Sequence, residues 1–155
     1  MNVLYESKSL LESWGKHGII EEKTWSGGAG VHKIGKLDFQ KFKAFSSNMT
    51  TDEVIITDER IAHIKARHPN DFERYAEYIK DAVEDPSYII EDSRPNTAML
   101  LKHIKSEDQH FRLALRLATP QDNPDYKNSI LTFLKIKEKE WDRLLRNKNV
   151  LYKSE

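Results

Sequence analysis

The run Thr57-Asp58-Glu59-Arg60-Ile61-Ala62-His63-Ile64-Lys65-Ala66-Arg67-His68-Pro69 gathers two histidines, two arginines and a lysine within thirteen residues. On a helix, His63 and Arg67 share a face with Arg60, while Ile61 and Ile64 turn inward. His68 falls at the helix end, where a cation is favoured, so it suits a cap as well as a proton carrier. A solvated structural role is equally open to His63. A second gathering sits on alternating segments. Arg112, Ala114, Arg116 and Ala118 share one face of a strand over 110–118, with Phe111, Leu113, Leu115 and Leu117 on the other. Over 126–136, strict alternation sets Lys127, Ser129, Leu131, Phe133 and Lys135 against Asn128, Ile130, Thr132 and Leu134. An arginine face opposite an apolar one is also the ordinary solvated side of a half-covered sheet.

A neutral-range base, fixed guanidiniums, a lysine and small hydroxyls, with no conspicuous carboxylate pair, suit metal-independent RNA cleavage. That reaction needs a base for the 2′-hydroxyl proton, an acid for the leaving 5′ oxygen, and cations for the pentacoordinate phosphate. Other chemistries lack their signatures. There is no H-E-x-x-H or EF-hand loop, and His17, His32, His63, His68, His103 and His110 show no repeated ligand spacing, so neither metal nor cofactor is expected. Gly27-Gly28-Ala29-Gly30 precedes neither a helix opening nor a Lys-Ser/Thr pair and reads as a linker. No G-x-S-x-G appears. Glu91-Asp92, or Asp122 with Asp125, could serve a carboxylate-pair hydrolase, although acids at turns ordinarily cap them.

The chain has 155 residues, with 25 Lys+Arg, 25 Asp+Glu and no cysteine. The missing cysteine excludes disulfide scaffolds, thiolate zinc, iron–sulfur clusters and a thiol nucleophile. No window approaches the ~18 apolar residues of a membrane span, and the N-terminus lacks a secretory pattern, so a soluble protein with no membrane partner is expected. Neutrality argues against a nucleic-acid partner, but the charge is unevenly spread. Residues 1–51 carry 7 basic and 5 acidic groups, 52–98 carry 6 and 12, and 99–155 carry 12 and 8. The strand-rich last third is therefore net +4.

Positioning these groups requires a frame. Leu4, Leu10, Leu11 and Trp14 give a weak helical period over 1–24, and the glycines that follow place a boundary near residue 30. Residues 1–33 thus read as an appendage and linker, and 34–155 as the domain. Residues 34–51 suit either a strand plus turn or a short helix. Val54-Ile55-Ile56 is a short apolar run, after which Thr57 caps a helix to about His68. Pro69 stops it, and Asn70-Asp71 caps a second helix on which Phe72, Tyr75, Ala76, Ile79, Ala82 and Val83 recur, ending near Glu84. Strands follow at 88–90, 97–104, 110–118 and 126–136, then an amphipathic helix over 137–145. The sequence predicts an α+β fold: N-terminal helices, a four-stranded antiparallel sheet and a C-terminal helix.

The order of these elements, with ITDERIAHIKARHP, EDPSYIIED, DYKNSILTFLKI and the closing NKNVLYKSE, resembles the phage-encoded branch of the barnase, EndoU, colicin and RelE nuclease superfamily. The resemblance covers residues 34–155. It implies a toxin-like, metal-independent endoribonuclease acting on tRNA or another structured RNA from the open face of a barnase/RelE-like sheet. The family's polar positions fall on Thr57, Arg60, His63, Arg67 and His68, and on Lys127, Asn128, Ser129 and Thr132. The implied roles are His63 or His68 as general base or acid, and Lys127 with Arg112 or Arg116 on the transition-state phosphate. Ser129 and Thr132 would orient, and Arg60, Arg67 and Asn128 would contact substrate. An acidic immunity or antitoxin protein is the partner such a toxin would need. Its site of action would be cytoplasmic, reached by phage or secretion. The alternative, favoured by the neutral charge, is a non-catalytic RNA- or protein-binding module of a phage or mobile-element protein.

Overall fold

The computed structural model of the chain describes residues 21, 22 and 30–155. The helical period expected over 1–24 and the glycine linker therefore lie outside the described residues, apart from Glu21, Glu22 and Gly30. A two-residue strand β1 (Glu21–Glu22) pairs with β2 (Val31–Lys36), and a 3₁₀ turn at Lys43–Asn48 leads to β3 (Glu53–Thr57). Three short helices follow, α1 (Asp58–Arg67), α2 (Asp71–Tyr75) and α3 (Ile79–Glu84). Then come β4 (Tyr88–Glu91), β5 (Thr97–Ile104), β6 (Gln109–Arg116), β7 (Asn128–Ile136), α4 (Glu138–Asn147) and β8 (Val150–Lys153).

The fold is α+β, and the four predicted strands β4–β7 are antiparallel neighbours. Among the described residues, however, the sheet has eight strands, ordered β1-β2-β3-β7-β6-β5-β4-β8. The helices are not N-terminal to it, because β2 and β3 precede them and join the same sheet. Val54-Ile55-Ile56 is too short to show alternation, but these residues lie in a strand paired parallel to β7, with Val54 opposite Asn128 and Ile55 opposite Ser129. β8, which follows the closing helix, pairs with β4 on the far edge.

Local chemistry sets the helix ends. Thr57 is extended, and its Oγ1 accepts the Arg60 N–H at 3.2 Å, one of the first-turn donors with no partner inside the helix. Asp58 donates its own N–H to the Gly30 carbonyl at 2.7 Å. Gly30 sits at φ +82, where a Cβ would come within 2.7 Å of the Asp58 carboxylate, so only glycine fits. The other Asp58 oxygen meets Nε2 of the buried His32 at 2.6 Å, tying β2 to the start of α1. After Pro69, Asn70 turns left-handed at φ 73 and does not cap α2 with its side chain. The second predicted helix breaks at a 3₁₀ turn, Ala76–Tyr78, yet keeps its apolar stripe. Tyr75 and Tyr78 both lie against Phe111, at 4.9 and 6.2 Å between ring centroids.

Two apolar layers result. Ile61, Ile64, Phe72, Ile79 and Val83 from the helices pack on Phe111, Leu113, Leu115, Ile130 and Phe133 of one sheet face. On the opposite face, Trp141 and Leu144 of α4 cover Ile90, Met99, Leu101 and Ile136. Burying a large apolar side chain is worth about 1.5–3 kcal/mol, so each layer anchors its helices chiefly through apolar burial.

Candidate functional site

The sidedness of β6 and β7 decides which residues can act together. Directly opposed residues of an antiparallel pair point to the same face. Arg112 opposes Leu134, Ala114 opposes Thr132, and Arg116 opposes Ser129, with a register shift between Ala114 and Leu115 that leaves Leu131 as the extra residue of β7. Strict alternation would send Ser129 and Thr132 to opposite faces. The bulge puts them on one, beside both arginines, and hands Phe133 to the core. Parallel pairing adds Ile55, and the Lys127 Nζ–Glu53 Oε2 contact at 2.8 Å adds that pair. This is the face α4 packs on, and beyond α4 no other described helix covers it.

Every cation here has a carboxylate companion. Arg116 grips Asp122 with its two terminal guanidinium nitrogens, at 3.1 and 3.0 Å, and also donates to the Leu117 carbonyl. Asp122 accepts the Thr119 N–H at 2.8 Å and its hydroxyl at 3.1 Å, and Arg116 above all holds its carboxyl below the usual range. Arg112 lies 3.6 Å from Glu140 of α4, which Arg143 clasps at 2.7 Å through two nitrogens and keeps ionised. Lys127 likewise lowers Glu53, with Lys33 and Lys36 assisting. On the flank of α4, Ile136, Lys137, Lys139, Glu140, Arg143 and Arg146 line a groove of about 300 Å³, the lower end of the range for small-ligand sites.

Asn128, expected to touch substrate, does not reach this surface. It is fully buried, its amide donating to the Thr51 and Glu53 carbonyls at 2.8 and 2.9 Å and its oxygen accepting the Ala118 N–H at 2.8 Å. It fastens β7 to the chain before β3 and to the end of β6.

The helix residues stand on the other side of the sheet. Ile61 and Ile64 seat α1 in the first apolar layer, while His63 and Arg67 are exposed and Arg60 and His68 half-buried. His68 is the C-cap, its N–H bonded to the Ile64 carbonyl at 2.8 Å. A helix with its side chains is about 10–12 Å thick, so α1 and the sheet both separate His63 and Arg67 from Arg112, Arg116, Ser129 and Thr132.

Two other histidines share the arginine face. His103 and His110 oppose each other across β5 and β6, stacked at 4.5 Å, and the His110 ring also meets Trp141 at 4.6 Å. Burial first, then the neighbouring His103, pushes His110 below its ordinary value, against the opposing pull of Glu138, Asp108 and Asp142. His110 is thus neutral at pH 7 and two residues along the strand from Arg112. The sequence held a signal for this pairing, since the polar four-residue turn 105–108 fixes 103 opposite 110 in a hairpin. Lys102 faces the other way and bonds the Asp85 carbonyl at 2.6 Å.

Among the described residues no group of three or more His, Asp or Glu side chains could hold a metal ion, and no helix is long and apolar enough to cross a membrane. The family model described as phage-Barnase-EndoU-ColicinE5/D-RelE like nuclease2 matches residues 31–153. No curated protein and no solved structure matches the chain.

Proposed function

From the membership of this chain in the phage barnase, EndoU, colicin E5/D and RelE-like nuclease 2 family, and hence its general nuclease character, we propose that it cleaves RNA without a metal, on the sheet face shared by β6, β7 and α4. The observation that carries this reading is that a histidine, two arginines, a lysine and two hydroxyl side chains share one face. In the proposed reaction His110 takes the 2′-hydroxyl proton as the 2′ oxygen bonds to phosphorus. The bond to the 5′ oxygen breaks, solvent protonates that oxygen, and a 2′,3′-cyclic phosphate remains. Arg112 exchanges Glu140 for the phosphate and offers its planar donors to the developing charge. Ser129 and Thr132 orient the strand, and Lys127 exchanges Glu53 for a flanking phosphate. His63 and His68 take no part, because a proton carrier must come within hydrogen-bond reach of its target.

The pairing of all three cations with carboxylates favours a second reading, a surface that binds RNA without cutting it. Incubating the full chain with total tRNA in EDTA separates the two. Discrete fragments ending in 2′,3′-cyclic phosphate, lost in His110→Ala, support the nuclease. Intact RNA that co-elutes with folded protein supports the binding module.

A further inference from the structure

We propose that Tyr126, backed by the Arg116 guanidinium, is a stacking platform for one unpaired nucleobase. This inference rests on the nucleic-acid reading of the same face and names the form of substrate it takes. Tyr126 is one of three exposed large apolar side chains among the described residues, at 36% exposure. Its ring centroid lies 5.5 Å from the Arg116 Cζ, a cation–π distance. The surroundings fix it there. Arg116 is locked to Asp122, Asp122 to Thr119, the Tyr126 N–H donates to the Asn123 carbonyl at 2.8 Å, and the Asn123 side chain accepts the Asp125 N–H at 2.9 Å. The loop therefore holds an aromatic ring beside a guanidinium and leaves the ring partly in water.

That arrangement suits a base. Stacking on an aromatic ring accepts any base because each has a π-face, and it requires that face to be free of a base-paired stack. Lys127 follows Tyr126 in the chain, and Ser129 opposes Arg116, so groups able to meet the phosphate and sugar adjoin the ring. The platform selects single-stranded segments, such as loops, over duplex.

The test is the affinity of the full chain for a fluorescent 2′-O-methyl RNA of about ten nucleotides, a length within the range single-strand sites cover, whose blocked 2′ oxygen prevents cleavage. The wild type should bind it at least tenfold more tightly than an abasic strand of equal length or the same strand in a duplex. Tyr126→Phe should bind like the wild type, and Tyr126→Ala roughly 5- to 150-fold more weakly. Against the abasic strand, wild type and Tyr126→Ala should be equal. Equal affinity of the wild type for base-bearing and abasic strands overturns the platform without any variant, as does an unaltered Tyr126→Ala. If either occurs while tRNA is still cut, only the platform fails. A wild type that neither binds nor cuts RNA overturns the platform and the function together.

Discussion

His63 and His68 belong to a compact helical motif, whereas His103 and His110 are seven residues apart in sequence and meet across two strands. The first pair stands out in the linear chain, and the second shares a sheet face with Arg112 and Arg116 in the fold. Spacing along a helix tells which residues share its face, but not which side of the sheet that helix will cover. Here Ile61 and Ile64 carry α1 to the first apolar layer, and Trp141 and Leu144 carry α4 to the second. The catalytic question thus becomes one of sidedness, which substitutions can decide.

The largest effect should come from His110→Ala, which removes the only proposed base and should lower tRNA cleavage in EDTA by about 10²–10⁴-fold. His63→Ala and His68→Ala should stay within about threefold of the wild type, since neither touches the proposed site. Inverted results, with the helix variants inactive and His110→Ala intact, would break the comparison. The cations sharpen it next. Arg112→Ala should reduce kcat/KM roughly a hundredfold, the scale of losing one donor to transition-state charge, while exposed Arg67→Ala on α1 should have little effect. Equal losses from the two arginines would point to diffuse electrostatic binding, which a fall in sensitivity at higher salt would confirm.

Within one strand the same contrast is structural. Asn128 and Ser129 are adjacent and face opposite sides of the sheet. Asn128→Ala strands two carbonyls and an amide in the interior and should lower the free energy of unfolding by roughly 2–4 kcal/mol in denaturant titrations. Ser129→Ala, half-exposed, should stay within about 0.5 kcal/mol. If Asn128→Ala kept its stability and lost RNA binding, its expected substrate role would be restored.

What could be read beforehand follows the range of the interaction. The Thr57 cap, the stop at Pro69 and the two faces of β6 are set by residues a few positions apart, and these appear where the sequence placed them. The helix over 72–84 kept its apolar stripe but not its continuity. The side of Thr132 was not readable, because the extra residue at Leu131 answers to the register of β6. Nor was the partnership of β3 with β7, whose residues lie more than seventy positions apart. The clasp of Glu140 by Arg143 was visible as an i, i+3 pair, but not its approach to Arg112, which depends on where α4 docks.

The smallest effect is the pH dependence, and it tests the histidine comparison without touching the helix. The folded protein depresses the His110 value below 6.5, chiefly by burial. Between that lowered value and 6.5 the unfolded chain binds more protons than the folded one, so stability rises with pH across this window. The contribution is complete above about 6.5 and is lost as pH falls through the folded value. Carboxylates such as Asp122 and Glu140 are also lowered, from 3.8 and 4.5, and their contributions disappear only in a more acidic window. The melting temperature should therefore fall as the pH is lowered below about 6.5 in the wild type, and by less in His110→Gln. The rate should follow the same group, because a base that stays neutral below 6.5 keeps the acid limb of kcat/KM below 6.5. An acid limb at or above 6.5, or one unchanged in a residually active His110→Gln, would remove His110 as the base and leave its burial under Trp141 a matter of packing alone.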